Sequence, residues 1–267
     1  MRALLALAVV ATLVASEAAR AAQTPTITIS GAFTATALTA DLAYFYRREV
    51  RSPPRFDLVG GRTVTGIADV SRGTSDIGLA TRPLGPDDPA GLVFTPFART
   101  GICLVTNRAN PLPGLTRGLI QDLVAARITS WGQVPGSPLL DPIAAGTLTV
   151  GGGSRTAFEA TLLDPETPQL HAPRTFITAA QMRDFVKVTP NAWGYVDLAF
   201  AADLHIVPYE GVPCTRATVS SLTYPARTEI GFVTRGAPTG RVARFIRWVR
   251  RSAKARRVIS TRYVVVR

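Results

Sequence analysis

Apolar segments of strand length alternate with segments of helical periodicity along almost the whole chain, and the turns between them are rich in Gly, Ser and Thr. Residues 26–30 read as a strand, and residues 34–50 follow with Leu38, Leu42 and Phe45 on one helical face. Arg51-Ser52-Pro53-Pro54 ends that helix. The same alternation predicts strands at 56–59, 76–80, 102–106, 148–150, near Tyr195, near Ile206 and at 229–233. It predicts helices at 64–71, 116–126, 155–163 and 179–187, with two basic helices closing the chain. Strands that alternate with helices imply parallel sheets covered on both faces. No internal repeat or low-complexity tract interrupts the pattern.

The first residues read as a secretory leader. Arg2 precedes an apolar stretch over residues 3–14, and Ala19-Arg20-Ala21 fits the small-x-small cleavage rule, so residues 1–21 are expected to be a signal peptide. No cysteine stands at the cleavage region, so no lipid anchor is expected. No apolar run reaches the ~18 residues of a spanning helix. The expected location is exported, in the periplasm or at the cell envelope exterior. Cys103 and Cys214 are the two cysteines. In an oxidising compartment they are free to pair, but Cys103 also fits its apolar run as a small core residue. Sequence alone does not bring two Cβ atoms together.

The formal net charge of +12 is nearly all arginine, with a dense run between Arg241 and Arg262. Nucleic acid is the obvious partner for such a charge, but an exported chain without an aromatic-basic motif does not point there, and none is expected. Val242, Phe245, Ile246 and Val249 recur at helical spacing inside the run. This describes an amphipathic helix with a solvated basic face, whose field allows peripheral contact with a membrane complex and no more.

The strand-to-helix junctions carry the chemistry. Ligands in open α/β sheets bind beyond the carboxyl ends of strands. The junctions are Ser30-Gly31-Ala32-Phe33-Thr34, Gly60-Gly61-Arg62-Thr63-Val64-Thr65-Gly66, Gly151-Gly152-Gly153-Ser154-Arg155-Thr156 and Thr81-Arg82-Pro83. Glycine lets backbone N–H groups approach a ligand. A helix N-terminus offers unpaired donors and a partial positive charge, and arginine adds a charged fork. Facing one cleft, these junctions would bind an oxyanion. Each alone is equally an ordinary helix cap.

Other chemistries find less support. Ser154 precedes a helix, but its turn lacks the second glycine of Gly-x-Ser-x-Gly, and His171 and His205 lie in a Pro-rich loop and an apolar strand. No paired-cysteine or His-x-x-x-His spacing supports a metal, and Asp87-Asp88 reads as a solvated pair after Pro86.

At these junctions the sequence resembles the phosphate-binding proteins of bacterial ABC transporters, within the periplasmic-binding-protein superfamily. The resemblance runs in order over residues 27–265. Ile29-Ser30-Gly31-Ala32-Phe33-Thr34 is similar to the opening Gly-Ser-Thr-Thr/Phe turn. Residues 61–67 resemble the Gly-Gly-x-Ser-x-x-Gly-Ile loop, with Thr63 at the serine position. Residues 76–84 resemble Asp-Ile-Gly-x-Ala-Ser-Arg-Pro-Leu. Residues 115–131, closing on Ala126-Arg127-Ile128-Thr129-Ser130-Trp131, resemble Leu-x-x-Ile-x-x-Gly-x-Ile-x-x-Trp. Residues 151–159 resemble Gly-Ser-Gly-Thr-Arg-x-Ala-Phe-Glu. Gly194-Tyr195-Val196, Gly211-Val212-Pro213, Tyr224-Pro225 and Phe232-Val233-Thr234 match later segments.

The resemblance implies a two-lobed α/β periplasmic-binding-protein type II fold, each lobe a mostly parallel sheet flanked by helices. Lobe 1 would hold residues 22–104 and 208–267, and lobe 2 residues 105–207. It implies a monomeric binding protein with no catalytic residues, cofactor or metal, which captures phosphate or a related oxyanion and presents it to an ABC permease by lobe closure. Ligand contacts carried over by position are Ala32, Phe33, Thr34, Thr63, Thr81, Arg82, Gly152, Gly153, Ser154 and Arg155. The chain departs from the pattern where Thr149-Val150 run straight into Gly151, where Gly152 replaces a serine, and where Ala32 and Phe33 replace hydroxyl residues. A hydrogen-bond acceptor in the site would favour a protonated oxyanion over sulfate, and the sequence identifies none. The alternative to transport is a scaffold of the same fold that has lost its ligand and serves adhesion or signalling. A serine hydrolase ranks below it.

Overall fold

The computed structural model describes residues 24–163 and 174–266. The expected leader and His171 lie outside the described residues. The chain runs β1 (Thr26–Ala32), α1 (Phe33–Glu49), β2 (Arg55–Gly61), α2 (Thr63–Arg72), β3 (Ile77–Ala80), β4 (Leu92–Thr106), α3 (Arg117–Val124), β5 (Ala144–Leu148) and α4 (Gly153–Leu162). It continues with β6 (Arg174–Phe176), α5 (Ala179–Val188), β7 (Ala192–Asp197), β8 (His205–Val207), α6 (Arg216–Ser220), β9 (Arg227–Arg235), α7 (Gly240–Arg251), α8 (Ala253–Ser260) and β10 (Val264–Val265). No helix among the described residues is long and apolar enough to cross a membrane.

The strands follow the order β2-β1-β3-β9-β4-β7-β5-β6, with β8 and β10 also pairing β4. At the two ends the pairs are parallel: β1 with β2 and β3, and β5 with β6 and β7. In the middle they are antiparallel, because β9 and β4 run back through the layer. β4 joins the two halves. Its residues 92–101 pair with β9, and its residues 102–106 pair with β7. The sequence pattern gave only the second of these stretches. Pro96 lacks an N–H and reads as a break, yet it sits where the register shifts against β9, a bulge where proline is tolerated.

Two apolar cores flank the crossing. The first gathers Ile27, Ile29, Leu38, Leu42, Phe232, Phe245 and Val249. Tyr46 packs edge-on against Phe56, Phe245 and Trp248 there. Helix α7 buries Phe245, Ile246 and Val249 and leaves Arg244, Arg247, Arg250 and Arg251 exposed, the amphipathic division its spacing predicted. The second core gathers Ile102, Leu104, Trp131, Phe158, Trp193, Tyr195 and Val207. Tyr209, Cys214, Val219, Tyr224 and Ala226 pack into this second core. Cys103 and Cys214 form a disulfide, with Cα atoms 5.5 Å apart, just past the point where β4 changes partners. Gly101 leaves the room this requires, since a Cβ there would lie 2.7 Å from the Cys214 sulfur.

Candidate functional site

Three strand ends and the helices that follow them meet at one cavity of about 30 Å³. A buried water needs ~10–15 Å³, so the space is on the scale of one small polyatomic group. Its first wall is the β1–α1 turn. Gly31 adopts a positive φ of 123°, and a side chain there would meet the Leu79 carbonyl at 2.4 Å. Only glycine lets β1 run beside β3 so closely and still deliver Ala32, Phe33 and Thr34 to the cavity. The half-exposed Phe33 ring lies over Gly60 and closes one side.

The second wall comes from α2 and the end of β3. Thr63 and Thr81 are buried and bonded to each other, the Thr81 N–H donating to Thr63 Oγ1 at 3.2 Å and the two hydroxyls lying 3.2 Å apart. Thr228 Oγ1 donates to the Thr81 carbonyl and fixes that strand end from β9. The third wall belongs to the second half of the molecule: Leu148, Thr149, Gly152, Gly153 and Ser154, with Ile177, Thr178 and Ala179 at the start of α5. Tyr195 positions it. The buried Tyr195 hydroxyl accepts the Leu148 N–H at 3.2 Å and lies 3.0 Å from Thr147 Oγ1, and burial pushes its pKa up to about 12.

The helix starts distinguish this cavity. Helices α1, α2 and α4 begin at it, with Ala32, Arg62 and Gly152 at their N-caps, and none has a side-chain cap or an acidic residue in its first turn. Helix α5 also begins at the cavity but is capped by Thr178, and away from the cavity Thr116, Thr215 and Ser252 cap α3, α6 and α8. Helix α7 also lacks a side-chain cap and lies away from the cavity. The capping alternative for Thr34, Thr63 and Ser154 therefore does not hold. An uncapped first turn leaves N–H donors without a side-chain acceptor and carries a partial positive charge, and three such turns begin at this one small cavity, although the Val64 N–H in the first turn of α2 is taken by the Gly151 carbonyl.

Of the ten residues expected from sequence, Ala32, Phe33, Thr34, Thr63, Thr81, Gly152, Gly153 and Ser154 line the cavity together. The two arginines do not. Arg82 turns outward and grips Asp88 with both terminal nitrogens, at 2.6 and 2.9 Å, and Asp88 also accepts the Gly85 N–H. The Arg82 hydrogen bond holds the Asp88 carboxyl below its usual range. The acidic pair is thus one partner of a salt bridge rather than a wholly solvated loop. Arg155 spans Glu159 at 2.7 Å and the Leu148 carbonyl at 2.9 Å, which braces the end of β5 from the far side. Each guanidinium follows a nearby carboxylate that the local sequence supplies six or four residues away.

Arg62 is the arginine at the cavity. It lines the cavity and donates to the Val150 carbonyl at 2.9 Å, while Val64 N donates to the Gly151 carbonyl at 3.3 Å. Both bonds tie the β2–α2 turn to the turn before α4. Beneath it sits Asp197, fully buried at the end of β7. Its Oδ2 accepts from Ser154 Oγ at 2.8 Å and stands 3.5 Å from Thr34 Oγ1, and its Oδ1 has no hydrogen-bond partner. Burial raises its pKa to about 6, against the opposing pull of the Ser154 bond. Tyr263 from the end of the chain donates to the Thr34 carbonyl at 2.9 Å. Ser154 thus bonds to a carboxylate, whereas His205 lies apart with Nε2 2.7 Å from the Leu112 carbonyl.

Residues 16–252 match the PBP superfamily domain. The chain belongs to the PBP superfamily. Solved members of the same architecture include a candidate phosphate ABC transporter substrate-binding protein from Clostridium perfringens, crystallised with bound phosphate. It is 23% identical, with a TM-score of 0.83 over 91% of this chain and 100% of that one. An ABC-type phosphate transport receptor from Vibrio cholerae is 22% identical, with a TM-score of 0.73 over 89% of this chain and 99% of that one. These likenesses establish the two-lobed fold. Among curated relatives, the phosphate-binding protein PstS 2 of Streptococcus pneumoniae is 25% identical over 108 residues, which is 40% of this PBP-superfamily chain. The matched stretch spans 37% of that relative's length.

Arg62 and Asp197 were missed as site residues in the sequence. Arg62 was visible inside a Gly/Thr-rich junction but carries no separate signal. Asp197 directly follows the all-buried run Ala192–Val196. A carboxylate at the end of a wholly apolar strand is the signal that marks it, since a buried charge is retained only where partners hold it.

Proposed function

We propose that this chain is an exported solute-binding protein that captures phosphate, or a closely related oxyanion, between its two halves and delivers it to an ABC permease. The observation that carries this is the convergence of three uncapped helix N-termini, with Arg62, on a cavity sized for one compact ion. The cradle binds and orients; no imidazole stands beside Ser154 among the described residues, and the function proposed is binding, not catalysis. The names of the structural relatives, one of them holding phosphate, point the same way.

The same proposal makes the protein a monomer of two lobes that works in the periplasm or at the envelope exterior. The change of partner strand within β4, at Gly101 and Ile102, supports a hinge near residue 104. The packing of Tyr209–Ala226 into the second core favours a return crossing at the start of β9 rather than at residue 208. Lobe closure over the anion would supply the altered surface that a permease recognises.

Calorimetric titration of the purified protein with phosphate tests the proposal. Binding with one-to-one stoichiometry is expected, together with a thermal shift that grows with ligand; a ligand at 100 times its Kd adds about 2.7 kcal/mol. A flat response to phosphate, sulfate, arsenate and molybdate would overturn it in favour of a ligand-free scaffold.

A further inference from the structure

We propose that the face built by α7, α8 and the end of α1 is a docking surface for an anionic membrane, which holds the protein on phospholipid headgroups by charge while the cavity stays clear. This inference rests on the exported location proposed above and adds a second partner at a place remote from the oxyanion.

The charge of this chain is gathered in one segment. Residues 230–262 contain ten of its 30 Lys and Arg and none of its 18 Asp and Glu, so they carry +10 of the formal net charge of +12. Folding lays that charge on a single face. Helix α7 buries Phe245, Ile246 and Val249, and α8 buries Ala255, Val258 and Ile259. This turns Arg244, Arg247, Arg250, Arg251, Arg256 and Arg257 to solvent. Arg51, just past the end of α1, lines one groove with Arg244, Arg247 and Arg251. Arg247 and Arg251 also line a second groove, which Arg256 joins to a third. The charged surface is therefore continuous from the end of α1 to α8.

The protein leaves these charges uncompensated. At other surfaces arginines sit on carboxylates: Arg72 on Asp69, Arg127 on Asp122 and Arg183 on Asp184. Along α7 and α8, among the described residues, Arg241 alone reaches one, Asp76 at 3.6 Å. Glu49 at the end of α1 accepts from Trp248 Nε1 at 2.9 Å, not from a guanidinium. Arg244, Arg247 and Arg251 stand three and four residues apart, where like charges repel. An external polyanion relieves that repulsion, and guanidinium forks match phosphate oxygens.

The shape of the face suits a surface rather than one small ion. The arginines cover about half the circumference of α7. Its apolar side is packed into the core, so the helix cannot enter hydrocarbon and meets headgroups only. The face also lies far from the cavity. Helix α1 starts at the cavity and runs 17 residues to this face, about 25 Å at the helical rise. A chain exported as proposed meets such headgroups at the membrane that holds its permease.

The test is co-sedimentation of the purified protein with phosphatidylcholine vesicles, with and without phosphatidylglycerol at about a third of the lipid. Wild type is expected to bind the anionic vesicles and not the neutral ones, and to bind at least ~10-fold less when salt is raised from about 0.05 to about 0.3 M, where exposed charges are screened. Each arginine near an anionic surface counts for about fivefold. Arg247→Gln combined with Arg250→Gln and Arg251→Gln is therefore expected to cut partitioning ~100-fold. The same number of charges removed from the other half, as Arg108→Gln with Arg127→Gln and Arg174→Gln, is expected to change it less than ~5-fold. If the α7 variant does not fold by circular dichroism, Arg256→Gln with Arg257→Gln carries the test, with a ~25-fold loss. No wild-type binding to anionic vesicles at low salt, or equal losses in the α7 or α8 variant and the control, overturns the inference. Retention on immobilised poly-glutamate without vesicle binding also overturns it and assigns the face to an acidic protein. Phosphate titration of the same samples keeps the two proposals apart, and the α7 variant is expected to bind phosphate like wild type. Vesicle binding without phosphate binding overturns the oxyanion proposal alone, and phosphate binding without vesicle binding overturns this inference alone.

Discussion

Gly153 at the start of α4 stands directly against Thr81 at the end of β3: a methyl group at position 153 would lie 2.2 Å from Thr81 Oγ1 and 2.8 Å from the Thr81 backbone. The two residues belong to opposite halves of the molecule, and their close approach brings two walls of the cavity together. The glycine-rich turn thus serves close approach between the halves as well as access to N–H donors.

Gly153→Ala is expected to wedge the cavity open. Position 153 is the first residue of a helix and has no positive φ, so alanine adds no backbone strain there, and the clash with Thr81 is relieved by parting the two walls. Phosphate affinity should fall at least ~10-fold, about 1.4 kcal/mol, while the melting temperature of the ligand-free protein changes little. Titration and thermal denaturation, run on the same sample, separate the two effects.

The arginines are expected to divide by place rather than by motif. Arg62→Ala should weaken phosphate binding by ~10- to 100-fold, the scale of a charge-assisted hydrogen bond. Arg82→Ala and Arg155→Ala should leave affinity within ~3-fold of the parent and instead lower the melting temperature, since they remove the Asp88 bridge and the brace on Leu148. A loss of affinity confined to the Arg82 and Arg155 variants would place the anion elsewhere.

Asp197 should make stability depend on pH in an unusual direction. Its folded-state pKa, about 6, lies above the ~3.9 of an unfolded aspartate. The native state therefore holds the proton over a window where the unfolded chain has lost it. Above about pH 6 the buried charge lowers stability in full, by about 3 kcal/mol as an upper bound. That penalty fades as pH falls through 6 towards 4. Asp197→Asn should accordingly be more stable than the parent at pH 7–8, with the gap in unfolding free energy closing between pH 6 and 4. Denaturant titrations of ligand-free protein at three pH values measure it.

The disulfide should contribute to global stability. Cys103 and Cys214 close a loop with a sequence separation of 111 residues. Loss of a native disulfide of this kind costs about 2–5 kcal/mol. Cys103→Ser with Cys214→Ser is expected to reduce the unfolding free energy by that amount, read from the midpoint of urea denaturation under non-reducing conditions.

Much of the fold was legible because it is written in local periodicity. Leu38 and Leu42 on α1, Phe245 and Val249 on α7, and the apolar runs of β1, β3 and β7 each declare a face or a fully buried strand without reference to the rest of the chain. The short strands β6 and β10 and the proline-bearing half of β4 were not legible, because their backbone is held by partners far away in sequence rather than by their own composition.

At the site, the chain by itself determined which turns could meet an anion: glycines where a side chain is sterically impossible, and hydroxyl residues in the first turns of helices. Only the tertiary structure decided which charges face the cavity. A guanidinium on a long stem goes to whichever acceptor folding brings nearest, and for Arg82 and Arg155 that acceptor is a neighbouring carboxylate, while Arg62 reaches across to Val150. Asp197 owes its raised pKa to burial at the end of β7 and its hold on Ser154 to the way α4 packs over it, with Thr34 of α1 reaching the same oxygen, a property of three-dimensional packing that no stretch of local sequence encodes.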